Sequence, residues 1–430
     1  MNVLLIGGGG REHAMAWKIS QSSKCKKLFI APGNAGTASC GENILLDIKD
    51  FFKIKDFVLE KKIDLVIVGP EEPLVNGIVD FFREDIDLKK VLILGPSLKG
   101  ALLEGSKDYA KAFMQRHNIP TASYRTFKKN EIEEAKIFLK TMKPPYVLKA
   151  DGLAAGKGVV IAENLEKAFD CLNEMFLQSK FGKAGDSIVI EEFLDGIELS
   201  VFVLTDGKSY KILPEAKDYK RIGNNDTGPN TGGMGAVSPV PFATNEFLGK
   251  VENLIIRPTI DGLQKENIYY RGFVFIGIMN VAGNPFVIEY NVRMGDPETE
   301  VVIPRIKSDL LQLFYCAANG ELYNSELIID PEIAVTVMMV SGGYPGDFEI
   351  GKEISIGNIY EESIIFHAGT KSVNGKMKTN GGRVFSITSF GNTINEACEK
   401  SYRQIQKIDF ENKYYRSDIG KDLSKSEVLD

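Results

Sequence analysis

Apolar and charged positions alternate along the first hundred residues in two periods. "VLLIG" (3–7), "KLFIAPG" (27–33), "DLVIVGP" (64–70) and "VLILGP" (91–96) are continuous apolar runs that stop at Gly or Pro, the pattern of strands buried on both faces. Between them, "REHAMAWKIS" and "IKDFVLEKK" space their apolar residues as amphipathic helices do. This alternation predicts an open parallel α/β domain over residues 1–103. "GGGGREHA", "APGNAGT" and "GPEEPL" follow strand ends, the edge where such sheets bind ligands.

The texture then changes. "GSKDYAKAFMQRHNI" reads as a helix capped by Ser106 and ended before Pro120. "YVLKADG", "GVVIAE", a helix near 164–177 and "SIVIEEFL" outline a small module over 122–191. A larger module takes 104–121 and 192–327. Its signals are the adjacent strands "ELSVFVLTDG" and "SYKILPEAKDY", a helix near 245–266, and a hairpin around Ala-Gly-Asn in "GFVFIGIMNVAGNPFVIEYNVR". From Pro214 to Pro239 large apolar residues are sparse, which predicts a functional or disordered loop. Residues 328–430 hold strands at "AVTVMMV", "SIIFHAGT" and "RVFSITSF", then a helix from Thr393, a small α+β domain. The expected fold class is α/β and α+β, in several domains.

Composition narrows the function classes. The 430 residues carry a net charge of −6, with 43% hydrophobic and 26% charged residues, which suits a globular protein and argues against a nucleic-acid partner. Five separated cysteines without a CxxC pair suggest reduced thiols and a cytoplasmic setting. No run approaches the length of a membrane span, and the first residues lack the pattern of a signal peptide.

Four places carry candidate chemistry. "ADGLAAGKGVV" (150–160) falls one spacer short of a Walker A loop, with Gly158 where the magnesium-binding hydroxyl would stand. It reads either as a flexible lid over nucleotide phosphates, made mobile by Gly152, Gly156 and Gly158, or as a plain turn between two antiparallel strands. Lys149, closing "YVLK", is placed to reach phosphates or to be a surface lysine. In "VIEYNVR", Glu289, Asn291 and Arg293 fall at i, i+2 and i+4 and share one strand face. Glu289 and Asn291 are hard ligands suited to magnesium shared with phosphates; the alternative is a structural Glu289–Arg293 salt bridge. Asp296 and Glu298 follow at a turn. The four N-terminal glycines miss the dinucleotide fingerprint but open a helix whose N-terminus, with Arg11, could take an anion; otherwise they make a tight turn. The glycines of "NNDTGPNTGGMGAVSP" would let backbone amides approach an anion. His13, His117 and His367 show no metal spacing and receive no catalytic role.

In order, "GGREHA", "APGNAGT", "GPEEPL", "LEGSKDYAK", "KADGLAAGKGV", "IEEFLDG", "DTGPNTGGMGA", "IEYNVRMGDPE" and "SGGYPGD" resemble the phosphoribosylamine–glycine ligases, also called glycinamide ribonucleotide synthetases, across essentially the whole chain. The resemblance implies an ATP-grasp enzyme of de novo purine synthesis. Glycine, ATP and 5-phosphoribosylamine would give glycinamide ribonucleotide, ADP and phosphate through a glycyl phosphate. It implies magnesium at Glu289 and Asn291, with manganese as an alternative. It places ATP at Lys107, Lys149, Gly152, Gly156, Lys157, Gly158, Glu191, Glu192, Phe193, Leu194 and Glu198. It places glycine and the transferring phosphoryl at Asp218, Lys220, Arg293 and Glu298, and the substrate phosphate at Gly9, Gly10, Arg11, Gly33, Asn34, Gly36 and Thr37. A monomer is expected. Two rivals stand beside this reading: another ATP-grasp carboxylate–amine ligase and a non-catalytic nucleotide-binding regulator. The chain departs from the family pattern at Lys217-Asp218-Tyr219, where Gln-Asp-His is common, and at "EYNVRMGDPE", where "EFNxRFGDPE" is.

Overall fold

The computed structural model describes residues 1–153, 158–177 and 186–424. The N-terminal strands are the predicted ones: Asn2–Gly7, Lys27–Pro32, Leu65–Val68 and Leu92–Pro96 pair in parallel. Along the first of them Val3 and Leu5 enter one core and Leu4 and Ile6 another. That is the period of two that a sheet covered on both faces requires.

This sheet does not stop at the end of its module. Leu92–Pro96 also pairs with Tyr270–Val281, through Tyr270↔Pro96 and Arg271↔Gly95, so parallel and antiparallel strands share one nine-stranded sheet. A helix the sequence reading lacked, Leu98–Gly105, follows the junction; Ser97 caps it by accepting from the Gly100 amide at 3.3 Å. Its two glycines had masked it, since glycine disfavours helix interiors. The predicted helix Lys107–Arg116 begins at Ser106, which accepts from the Tyr109 amide at 3.1 Å.

The hairpin forms as predicted from Tyr270–Val281 and Asn284–Asn291. Its loop is only Ala282 and Gly283, both at positive φ (49° and 79°), the geometry two-residue hairpins prefer. The predicted helix near 245–266 is interrupted: a π-helical stretch, Glu252–Ile256, separates Asn245–Val251 from Arg257–Lys265.

The small module is a four-stranded antiparallel sheet ordered Tyr124–Lys128, Ser187–Glu192, Tyr146–Ala150, Val159–Ala162. Helices Ile132–Thr141 and Leu165–Leu177 flank a core that includes Phe127, Leu148, Leu172 and Ile190. The glycine loop therefore joins antiparallel strands, and a Walker A loop is excluded. Its centre, with Gly156 and Lys157 and the question of a lid, lies outside the described residues.

The sparse segment 214–239 is ordered. Lys217–Asp218 and Gly235–Ser238 are strands of the C-terminal five-stranded sheet, beside Ile333–Val340, Arg383–Gly391 and Ser363–His367. Helix Ile394–Ile405 starts at Thr393, as predicted. Among the described residues no helix is long and apolar enough to cross a membrane.

Candidate functional site

The hairpin, the two helices after the junction, the small module and the C-terminal sheet all line one cavity of about 380 Å³. A β-bulge places Gly277 opposite Glu289 and Ile278 opposite Val287. The extra residue, Ile288, resets the phase so that Glu289 and Asn291 face the cavity together. Asn291 Nδ2 donates to Glu289 Oε1 at 3.5 Å. Burial pushes the Glu289 carboxyl upward, but Lys220, Lys149 and Lys107 outweigh it and hold the group below the usual range.

The alternative reading, an Arg293–Glu289 salt bridge, is not what forms. Arg293 pairs with Glu104 at 2.9 Å and Glu71 at 3.4 Å, and Nη2 donates to Asn291 Oδ1 at 3.3 Å. Glu104 also accepts from the Val292 amide at 2.8 Å, so the arginine is aimed by two carboxylates other than Glu289.

Three lysines gather around one carboxylate on one side. Glu191 lies between Lys111 (2.9 Å) and Lys149 (3.0 Å), all three nearly inaccessible to solvent. Burial lowers Lys111 to about 8, although Glu191 opposes the shift. Burial likewise lowers Lys107, whose Nζ donates to the Gly152 carbonyl at 3.0 Å. Asp151 of the small module accepts from the Lys107 amide at 2.6 Å, a carboxylate at a helix N-terminus that ties the module to the large one.

Three carboxylates gather around one lysine on the other side. Lys220 pairs with Glu198 and lies 3.4 Å from Asp218. Burial opposes its charge, yet Asp218, Glu198 and Glu289 together raise it well above the ordinary value. Glu298 accepts from Ser200 Oγ at 3.1 Å; burial, then the charge of Asp218, raises it to about 7. Arg383, from the C-terminal sheet, pairs with Asp296 at 3.0 Å and holds the Gly232 carbonyl.

The structure brings together Arg11, Lys107, Lys149, Gly152, Gly158, Glu191, Asp218, Lys220, Glu289, Asn291, Arg293 and Glu298 of the sequence candidates. Others stand apart. Glu192 bonds to Ser123, and Phe193 and Leu194 are not in the cavity wall. Glu198 is outside the cavity wall and reaches the site through its pair with Lys220. Of the seven candidates for a substrate phosphate, Arg11 alone lines the cavity. The Gly9 amide donates to Glu12 at 2.7 Å. A Cβ at Gly10 would sit 2.2 Å from Glu300 Oε1. The N-terminal glycines thus admit the protein's own carboxylates. Asn34 Oδ1 takes the amides of Gly36 and Thr37, and the Gly33 φ of 69° turns the chain there.

Sequence reasoning missed Lys111, Glu104, Glu71 and Arg383. Lys111 had a signal, standing one helical turn beyond Lys107 on the same face; Arg383 had none, being a lone charge opening a strand.

Among the described residues there is no cluster of three or more His, Cys, Asp or Glu poised to hold a metal. Glu289 and Asn291 supply two hard oxygens. That donor set fits magnesium, which takes its other ligands from water and substrate phosphates. Seven cationic and seven carboxylate side chains line the cavity, so the protein alone does not neutralise a triphosphate, and a divalent cation would supply the missing charge.

Family models match three successive parts of the chain. The phosphoribosylglycinamide synthetase N domain matches residues 1–104, its ATP-grasp (A) domain 105–299 and its C domain 334–422. A phosphoribosylamine–glycine ligase of Chlorobaculum tepidum is 45% identical over 98% of this chain and 99% of its own. The crystal structure of a phosphoribosylamine–glycine ligase from Thermotoga maritima has a TM-score of 0.85 at 36% identity, covering 97% of this chain and 100% of that one. The biotin carboxylase domain of a Hydrogenobacter thermophilus 2-oxoglutarate carboxylase, solved with MgADP, has a TM-score of 0.74 at 17% identity over 96% of this chain and 91% of its own, a likeness of fold alone. With matches over all three of its parts, the chain belongs to the phosphoribosylglycinamide synthetase family.

Proposed function

We propose that this cavity joins glycine to 5-phosphoribosylamine at the expense of ATP, the glycinamide ribonucleotide synthetase step of purine synthesis. The observation that carries the reading is the inversion of charge across Glu289. Three lysines around one carboxylate receive a polyanion; three carboxylates around one lysine receive a group that brings its own positive charge, as the ammonium of glycine does. The ligase class follows from the family, and the assignment of each residue is our own.

In this reading Lys107 and Lys149 meet the nucleotide phosphates as point charges. Leu103, Ala110, Met114 and Ile288 supply the apolar wall for a flat base. Glu289 and Asn291 would hold magnesium, or manganese in its place, which when bound offsets phosphate charge and polarises the phosphoryl oxygens. Asp218 and Glu298 hold the glycine ammonium, with Lys220 beside them. The glycine carboxylate then attacks the γ-phosphorus and ADP leaves. Arg293, aimed by Glu104 and Glu71, faces the charge that develops on the transferring phosphoryl. The amine nitrogen of phosphoribosylamine next attacks the acyl carbon, losing a proton as phosphate departs and the amide forms. Of the seven phosphate candidates only Arg11 is carried into this scheme. No side-chain nucleophile is required, because placement and charge do the chemistry. A monomer acting in the cytoplasm fits this reading.

The test is ADP release by the purified chain. Release that requires glycine and phosphoribosylamine together is expected. Release with a different amine would favour another carboxylate–amine ligase, and tight ATP binding without turnover under any substrate pair would favour a regulator.

A further inference from the structure

Lys217–Asp218 is a two-residue strand, paired through Lys217↔Val237 and Asp218↔Ala236, and backbone hydrogen bonds of Ala216 with Ser200 and of Tyr219 with Gly235 and Met234 extend the pairing on either side. Those bonds fix the backbone; the side chains on its two faces are placed by what each face meets. Alternation along the extended backbone sends Asp218 and Lys220 into the cavity and Lys217 and Tyr219 to the opposite face. There both meet one carboxylate, Asp422. The buried Tyr219 hydroxyl donates to Asp422 Oδ1 at 2.6 Å and accepts from the Gly420 amide at 3.0 Å. Lys217 Nζ pairs with the other oxygen, Oδ2, and stands 4.4 Å from the Tyr219 ring centre.

The grip continues along the segment. Arg416, 1% exposed, donates to the Arg221 carbonyl at 3.1 Å and to Asp226 at 2.6 Å. Asp418 takes Arg416 through both oxygens at 2.8 Å and accepts from the Asn225 amide at 2.7 Å. Tyr402, on the C-terminal helix, anchors the segment from behind, donating to the Arg416 carbonyl at 3.0 Å and accepting from the Ile419 amide at 3.2 Å. The two residues flanking Asp218 are also those at which the chain departs from the pattern of the sequences it resembles.

We propose that residues 416–422 form a positioning clasp for the acyl side of the cavity, with Asp422 and Tyr219 setting where Asp218 and Lys220 stand. The proposal rests on the reading of Asp218 and Lys220 as the glycine group. Asp422 and Tyr219 touch no substrate; they act through the strand between them.

The experiment uses the full chain with Tyr219→Phe, Asp422→Asn and their combination. KM is measured separately for glycine and ATP, and hydrogen exchange is followed over residues 217–223. Each single variant is expected to raise KM for glycine roughly five- to tenfold, leave KM for ATP within about twofold, and speed exchange over 217–223. The double variant should fall short of the product of the two single effects, since Tyr219 and Asp422 share one contact. Lys217→Met, a milder change that keeps the hydrogen bond, should shift glycine KM less. An unchanged glycine KM in folded variants overturns the proposal, as does an equal rise for both substrates, which would mean general loosening. If the wild-type protein shows no glycine-dependent ADP release, the functional reading falls instead, and the exchange measurement still decides whether the clasp exists: unchanged exchange in Asp422→Asn removes it.

Discussion

The two sides of the cavity are built from the same side-chain types in inverted proportion. Around Glu191, Lys111 and Lys149 are buried and paired directly, and burial depresses Lys111. Around Lys220 the carboxylates are in excess, and burial raises Glu298 to about 7. Each minority charge keeps the majority from flying apart while leaving a surplus for a ligand to complete. The lysine side is fastened between modules and the carboxylate side by the C-terminal segment, so the two should fail in different ways.

The largest effect should come where the sides meet. Glu289→Ala is expected to lower kcat at least about a thousandfold with little change in melting temperature, because Glu289 is not the ion-pair partner of Arg293. An early-melting variant that keeps its specific activity at low temperature would remove Glu289 from the metal site. Arg293→Lys should lower kcat roughly a hundredfold. The charge that satisfies Glu104 survives, but the planar fork does not. Steady-state kinetics with all three substrates check this, and a change confined to the KM of phosphoribosylamine would refute it.

Lys111→Met should weaken the lysine side alone. Glu191 keeps Lys149, so the cost should fall near the low end for a broken buried pair, about 3 kcal/mol, read by urea denaturation, with KM for ATP raised and KM for glycine unmoved. Equal movement of both constants would erase the distinction between the two sides.

The sides should also respond to pH with opposite signs. Glu298 is raised from 4.5 to about 7, so the folded state binds more protons than the unfolded one between those values. Stability contributed there is full below about 4.5 and lost as pH rises through 7, with a slope of at most about 1.4 kcal/mol per pH unit. Lys111 is lowered from 10.5 to about 8, so the unfolded state binds more protons between 8 and 10.5, and stability rises with pH across that window. Glu298→Gln should flatten the first slope and Lys111→Met the second in unfolding titrations of the ligand-free protein. Slopes that survive both substitutions would assign the titrations to other groups. The smallest expected effect is Ser106→Ala, about 1 kcal/mol from the lost cap, measurable as a shift of the denaturation midpoint without change in either KM.

Local periodicity alone determined much of this protein: the four parallel strands, the helix capped by Ser106, the hairpin and the pairing of Glu289 with Asn291 on one face. Each depends on residues close in sequence, where alternation or a capping side chain leaves a readable trace. Tertiary structure decided which charges meet. Glu104 sits in a helix whose glycines hide it, and its partner Arg293 is 189 positions away. Arg383 reaches Asp296 from another sheet. The glycine run at 7–10 reads as an anion cradle, yet Glu12 and Glu300 occupy it, because close approach by the protein's own carboxylates demands the same absence of a side chain as approach by a phosphate. The stretch 214–239 reads as a functional or disordered loop because no local apolar pattern orders it; Arg416, Asp418 and Asp422, nearly two hundred residues on, help to order it. Whether a charge is a ligand site or a strut depends on its partner, and partners brought together by folding leave no spacing in the chain to read.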